Sequence, residues 1–492
     1  MKGISRQSAH WQQSGVVLLT LVIVIALTLS TYYLLSISRV DIDVENKVKT
    51  RKILTRAKQA LIDYAVVNWT DDMENGKLGK LPCPDVSTIN PEGQQDPTCG
   101  KAYANVTGYY PWRTLGTDVF KDSGGSCLFY AVSPAYKVSP VAALTPDSYG
   151  QLQIVDQAGA VIQGATPESR PVAIIIAAGH SLGSQARNHD ATTLCGADYG
   201  NLIAYLDDDG VTDNAAIDPD AEDVIEKLVQ SYAGSEEAAN PLNDMLITIT
   251  HDEIWAALDS TIKSAAFDKR MEKLTEAIAL CFAEYGSHNG SHLPMPAAVD
   301  LNGGEYRKSS DYTDGSSFTS AYSGRLPYIV SNANARLVNG DEAEIFDNDY
   351  CDDIDLTVSA SESNINFKDD SGDDKGAYFD LWSNWKDHFF YAISKANNPD
   401  VIVSSCSGSC IDVAGTEYAG IIFFSGLKQA GQLRYAPPFE TDTKSDVANY
   451  LENGNAGFFP DNTGSQIYQP VGGTSNDHMF CIKSDMSGVV RC

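Results

Sequence analysis

The chain has 492 residues, enough for roughly two to four domains of ordinary size, and its 43% hydrophobic content is that of a folded polypeptide. A formal charge of −30 excludes nucleic acid as a partner, because binding phosphates needs a basic surface. The acidity suits an extracytoplasmic setting, or cation binding by carboxylate-rich loops.

Residues 1–15, MKGISRQSAHWQQSG, carry Lys2 and Arg6 and no acidic residue. Val16 to Ile37 then follow without a charge, and about 22 residues at 1.5 Å each give roughly 33 Å, enough to cross a bilayer core. Asp41, Asp43 and Glu45 lie beyond, so the positive-inside rule keeps the short leader in the cytoplasm and exports the rest. A cleaved secretory signal would be shorter and end in small residues, whereas this span ends in Tyr32, Tyr33, Leu34 and Leu35. A single-pass anchor over 16–37 is the expectation. All ten cysteines lie past it, from Cys83 onward, and an even count in an exported chain predicts disulfides. Cys406 with Cys410 and Cys481 with Cys492 are the nearest local pairs. Zinc is the alternative for the first pair, but neither C-x-x-C nor a matching histidine pair accompanies it.

A polar, weakly basic leader ending at Gly15 directly before an apolar span resembles the type IV prepilins of pili and type II secretion pseudopilins. The resemblance implies cleavage by prepilin peptidase after Gly15, N-methylation of Val16, and partnership with other pilins or pseudopilins through one long helix. The continuation NKVKTRKILTRAKQALIDYAVVN fits, with Leu54, Ala57, Leu61 and Tyr64/Ala65 on one face and no Pro or Gly over residues 16–65. One departure stands out. The family has Glu at the fifth mature position and this chain has Thr20, as in the atypical minor subunits placed at a filament tip.

The exported part divides near residue 250 into two copies of one module. KLPCPD, GYYPW, LFYAVS, VAIIIAAG, SQAR, AYLD and NDMLITI of the first copy are answered in order by HLPMPA, GRLPY, FFYAIS, AGIIFFSG, GQLR, NYLE and NDHMFCI. The first copy's KQALIDYA and the second's TEAIALCFA precede these blocks as helices. The second helix is expected from about Asp252 to Tyr285, with Ile254, Leu258, Ile262, Met271, Leu274, Ile278 and Phe282 on one side. The Leu-Pro-x-Pro element ends each helix and turns the chain back, and the apolar blocks read as buried strands. The expected class is therefore α+β: a leader (1–15), a transmembrane helix (16–37), and two related heads (38–250 and 251–492), each a helix with an antiparallel sheet.

Two local motifs raise chemistry. Gly179-His180-Ser181-Leu182-Gly183 spells the G-x-S-x-G nucleophile elbow, which needs a helix behind the serine, plus an acid and a histidine. The second copy has Leu427-Lys428-Gln429-Ala430 in that place, no HGGG-type oxyanion segment occurs, and His189 and His251 lack a recognisable context. The serine reads as a turn residue, and a Ser181 esterase is the weaker alternative. YLDDDGVTDN places Asp207, Asp209 and Asp213 around Gly210, alternate carboxylates suited to Ca²⁺, without the twelfth-position glutamate of an EF-hand. FDNDYCDDID and FKDDSGDDKG are weaker acidic loops, and His288 and His292 lack the glutamate of H-E-x-x-H. The reading is a non-enzymatic minor pilin or pseudopilin in a bacterial inner membrane. Its heads would be periplasmic or extracellular on a filament, with Ca²⁺ the one cofactor to consider. A calcium-dependent pilus-tip adhesin is the alternative.

Overall fold

A computed structural model describes residues 11–67, 77–88, 90–183, 185–187, 193–195, 201–232, 241–301, 306–314, 321–330, 343–344, 377–399, 406–452, 454–461, 463–473 and 475–492. The chain is mixed α+β with several antiparallel sheets. It opens with α1 (Trp11–Val67), an uninterrupted helix as the lack of Pro and Gly beyond Gly15 allows.

The first module follows as β1 (Val106–Tyr109), β2 (Phe129–Val132), β3 (Leu152–Val155), β4 (Val161–Gln163), β5 (Pro171–Ala177), β6 (Glu226–Val229) and β7 (Met245–Thr250). Its main sheet is antiparallel in the order β1-β2-β5-β7, with β4-β3-β6 as a smaller sheet. Leu54, Ala57, Leu61 and Ala65 of α1 are buried against that main sheet, in one cluster with Tyr130, Val132, Val172 and Ile175.

Three helices come next: α2 (His251–Ala257), α3 (Asp259–Ile262) and α4 (Ala265–His288). The single helix expected from Asp252 to Tyr285 is thus broken. Ser264 takes an extended conformation and its hydroxyl caps α4 by accepting the Phe267 amide at 3.0 Å. The break also divides the apolar stripe. Ile254, Leu258 and Ile262 pack into the first module's core, whereas Met271, Leu274, Ile278 and Phe282 pack into the second.

The second module contains β8 (Ser323–Arg325), β9 (Ile329–Val330), β10 (Ala343–Glu344), α5 (Ala377–Trp385), β11 (Phe389–Ile393), β12 (Ile411–Val413), β13 (Thr416–Phe424), β14 (Ile467–Tyr468), β15 (His478–Lys483) and β16 (Val489–Arg491). The strands β8-β11-β13-β15 lie side by side and antiparallel, with β16 beyond β15. This is the order of β1-β2-β5-β7, and the registers agree residue for residue. Tyr109 faces Phe129 as Arg325 faces Phe390; Ile175 faces Ile247 as Ile422 faces Phe480. Both sheets shift register at one equivalent place, between Pro171 and Ala173 and between Tyr418 and Gly420.

The Leu-Pro-x-Pro segments behave alike as well. Leu81 donates its amide to Tyr136 and Leu293 to Asn397. Each segment then bridges the first strand, Asp85 to Tyr109 and Ala297 to Arg325. The strand offers a glycine there, Gly108 or Gly324, because a Cβ would stand 2.8 Å from Asp85 O or 2.0 Å from Ala297 O.

Candidate functional site

Gly15 and Val16 lie inside α1, which continues through them, and the leader before Trp11 falls outside the described residues. From Leu18 to Tyr32 the helix presents apolar side chains outward: Leu18 is 66% exposed, Leu27 60% and Tyr32 75%. The hydroxyls of this stretch bond back to their own helix, Thr28 to Ile25 O, Ser30 to Ala26 O and Thr31 to Leu27 O, at 2.7–2.9 Å. That removes polar groups from the surface, as an apolar surrounding requires. Thr20 is exposed on the same stretch. Among the described residues no helix is long and apolar enough to cross a membrane.

Ser181 sits exposed after β5, and the described residues nearest behind it, 182–183 and 185–187, are not helical. His180 next to it is held by Asn243, which meets its ring nitrogen and its carbonyl oxygen. His251 starts α2 and is held by Asp252 and Pro146 O, and His189 lies outside the described residues. The segment has a structural purpose that recurs in the second module. Arg187 donates to Gly179 O and Ala204 O, and Arg434 to Gly426 O and Asn449 O. Gln185 caps the Leu182 amide as Gln432 caps that of Gln429. Asn243 donates to His180 O and Asn476 to Leu427 O, both at 2.7 Å, each packed against its glycine. Two equivalent turns are therefore pinned by Gln-x-Arg and Asn, with Ser181 contributing to neither.

The aspartates of the calcium-type loop face backbone amides. Asp207 accepts from the amides of Asn243 and Asp244, Asp209 from Val211 and Thr212, and Asp213 from Ala215. Among the described residues no three His, Cys, Asp or Glu are grouped to hold a metal ion. Asp207 and Asp244 bracket the chain ends that they join, since Asp244 accepts the Asp207 amide in return. Burial pushes both carboxyls up, and for Asp244 the charge of Asp207 adds to it. Glu452 and Asp477 repeat the pair in the second module. His288 is exposed and His292 bonds Asn398 O. The two weaker acidic loops, at 346–355 and 367–376, lie outside the described residues.

The structure joins Cys406 to Cys410, Cys481 to Cys492, Cys83 to Cys99 and Cys127 to Cys195; Cys281 is disulfide-bonded too. No known family, curated protein or solved structure matches the chain.

Sequence reasoning missed one site, the junction between the modules. Asp147, on the loop after β2, enters the second module, where His388 Nε2 and Arg434 Nη1 each stand 3.2 Å from its Oδ2. All three side chains are only 1% exposed. Burial alone would raise the Asp147 carboxyl, but His388 and Arg434 hold it well below the usual carboxylate range. Around it Arg170 pairs with Glu440, Tyr435 with Glu168, and Lys428 with the Tyr149 hydroxyl. Asp147, Tyr149, Arg170, Arg434, Tyr435 and Glu440 line a cavity of about 130 Å³ there. No periodicity or motif marks Asp147. The only sequence signal was the repeat itself, which set Arg434 opposite Arg187.

Proposed function

We propose that this chain is a minor pilin- or pseudopilin-like structural subunit, a non-enzyme held in a bacterial inner membrane by the first part of α1. The observation that carries the reading is α1 itself. One unbroken helix buries Leu54, Ala57, Leu61 and Ala65 in a sheet and leaves Leu18 to Leu29 uncovered. Such a surface needs lipid or partner helices around it. The leader ending at Gly15 supplies the processing site, so that Val16 would be the methylated mature terminus.

Thr20 supports a terminal place in the assembly. An ammonium in the bilayer costs about 2.5 kcal/mol or more unless it is paired. A subunit with Thr20 offers its own terminal amine to a neighbour's glutamate and cannot return that contact. Photo-crosslinkers at Leu21 and Ile25 are expected to trap other prepilins. Capture of this chain alone, as long homopolymers, would refute the tip assignment.

A further inference from the structure

The cavity at the junction belongs to neither module alone. Asp147, Tyr149 and Gln151 reach it from the loop that leads into β3, and Arg170 from the residue before β5. The opposite wall, from Arg434 to Lys444, comes from the segment after β13. Its volume of about 130 Å³ exceeds what one water needs, about 10–15 Å³.

Three of the lining residues carry a buried polar atom with no hydrogen-bond partner among the described residues: Asp147 Oδ1, Gln151 Oε1 and Arg170 Nε. Buried polar groups are as a rule hydrogen-bonded, so three exceptions around one space call for something that fills it. The two oxygens ask for donors and the guanidinium nitrogen asks for an acceptor.

The charges of the wall are already spoken for. Arg434 faces Asp147, Arg170 pairs with Glu440, Lys444 with Asp387, and Arg307 with Asp223. A charged ligand would enter without a counter-charge and lose its hydration. Much of the remaining wall is carbon. Pro437, Pro438 and Phe439 lie on it, with Tyr149 and Tyr435, whose hydroxyls are engaged by Lys428 and Glu168. The two tyrosine rings stand 5.6 Å apart. Apolar walls with a few convergent polar groups, placed between two modules, are the make-up of a small-molecule site.

We propose that the junction binds a neutral, polyhydroxylated ring: a single sugar unit. Each sugar hydroxyl both donates and accepts, so one ring can meet Asp147, Gln151 and Arg170 together. Its C–H faces suit the aromatic and proline wall, which offers water nothing. The inference stands apart from the filament reading, because sugar binding is measurable on the isolated protein whatever surrounds α1.

The test titrates the full-length protein, in micelles of a sugar-free detergent, with glucose, galactose and mannose by isothermal calorimetry. Saturable binding of at least one is expected, with the corresponding amino sugar and uronic acid at least tenfold weaker. Gln151→Leu keeps the volume and removes one acceptor, and is expected to weaken binding at least tenfold while the circular dichroism spectrum stays the same. Ala143→Phe fills the cavity from a half-buried lining position and is expected to abolish binding. The methyl glycoside of the bound sugar separates two sources: binding retained assigns the site to the end of a glycan, binding lost to a free sugar. No binding of any of the three sugars, a charged twin that binds as tightly, or unchanged affinity in either folded variant would overturn the proposal.

Discussion

Asp147→Asn tests the junction between the modules. The substitution keeps the side chain's shape and removes its charge, so no cavity term arises and the effect is electrostatic. Arg434, 1% exposed, would keep its hydrogen bonds to Gly426 O and Asn449 O and lose its partner anion. Breaking a buried pair from one side costs about 3–5 kcal/mol, and because Asn still accepts a hydrogen bond the lower end, roughly 3 kcal/mol, applies. For cooperative units of this size that corresponds to a fall of roughly 6–12 °C in Tm, read by calorimetry on the full-length protein in detergent. The folded pKa of Asp147 is depressed. Its contribution is therefore fully present above the unfolded value near pH 4 and lost as the pH falls toward the folded one. The variant should thus lose stability at neutral pH and little in strong acid. Asp147→Asn combined with Arg434→Met should cost less than the sum of the two single changes, because the interaction between the partners is lost only once. A Tm within about 1 °C of the parent, or strict additivity of the two changes, would refute the reasoning.

Ser181→Ala should leave Tm nearly unchanged, within about 0.5 kcal/mol, because the exposed hydroxyl supports neither pinned turn. Labelling of the parent by a fluorophosphonate probe, lost in that variant, would revive a nucleophilic serine. Asp477 gives the opposite pH signature to Asp147. Burial, with the charge of Glu452 adding to it, pushes its carboxyl up to about 7 against the pull of hydrogen bonds. A raised folded pKa stabilises below the unfolded value, and that contribution is lost as the pH rises toward 7. Asp477→Asn should flatten the stability profile between about pH 4 and 7, and an unchanged slope in urea titrations over that range would contradict it.

The sheets were legible because their residues obey local rules. LFYAVS, FFYAIS, VAIIIAAG and AGIIFFSG are apolar runs too short for helices, and they form β2, β11, β5 and β13. The repeat went further than periodicity, since matching Gly179 to Gly426 and Arg187 to Arg434 located two equivalent turns and made Ser181 the unmatched letter. Periodicity failed at Ser264, where the apolar stripe runs on in the sequence although its two ends serve different cores. A cap is one hydroxyl among many in a sequence, and only the packing decides that this one ends a helix. The aspartates of YLDDDGVTDN were ambiguous for a related reason. Alternate carboxylates suit a cation, and they equally suit turns in which each accepts a nearby amide, as here. Asp147 was illegible because its partners lie more than two hundred residues away, at His388 and Arg434.

Processing of this chain as a pilin-like subunit would show in its mature N-terminus. Intact-mass analysis and N-terminal sequencing would be run on the protein from cells with an active prepilin peptidase. A chain beginning at methylated Val16 is expected. A chain that keeps Met1 in those cells would contradict it and leave α1 as a simple anchor.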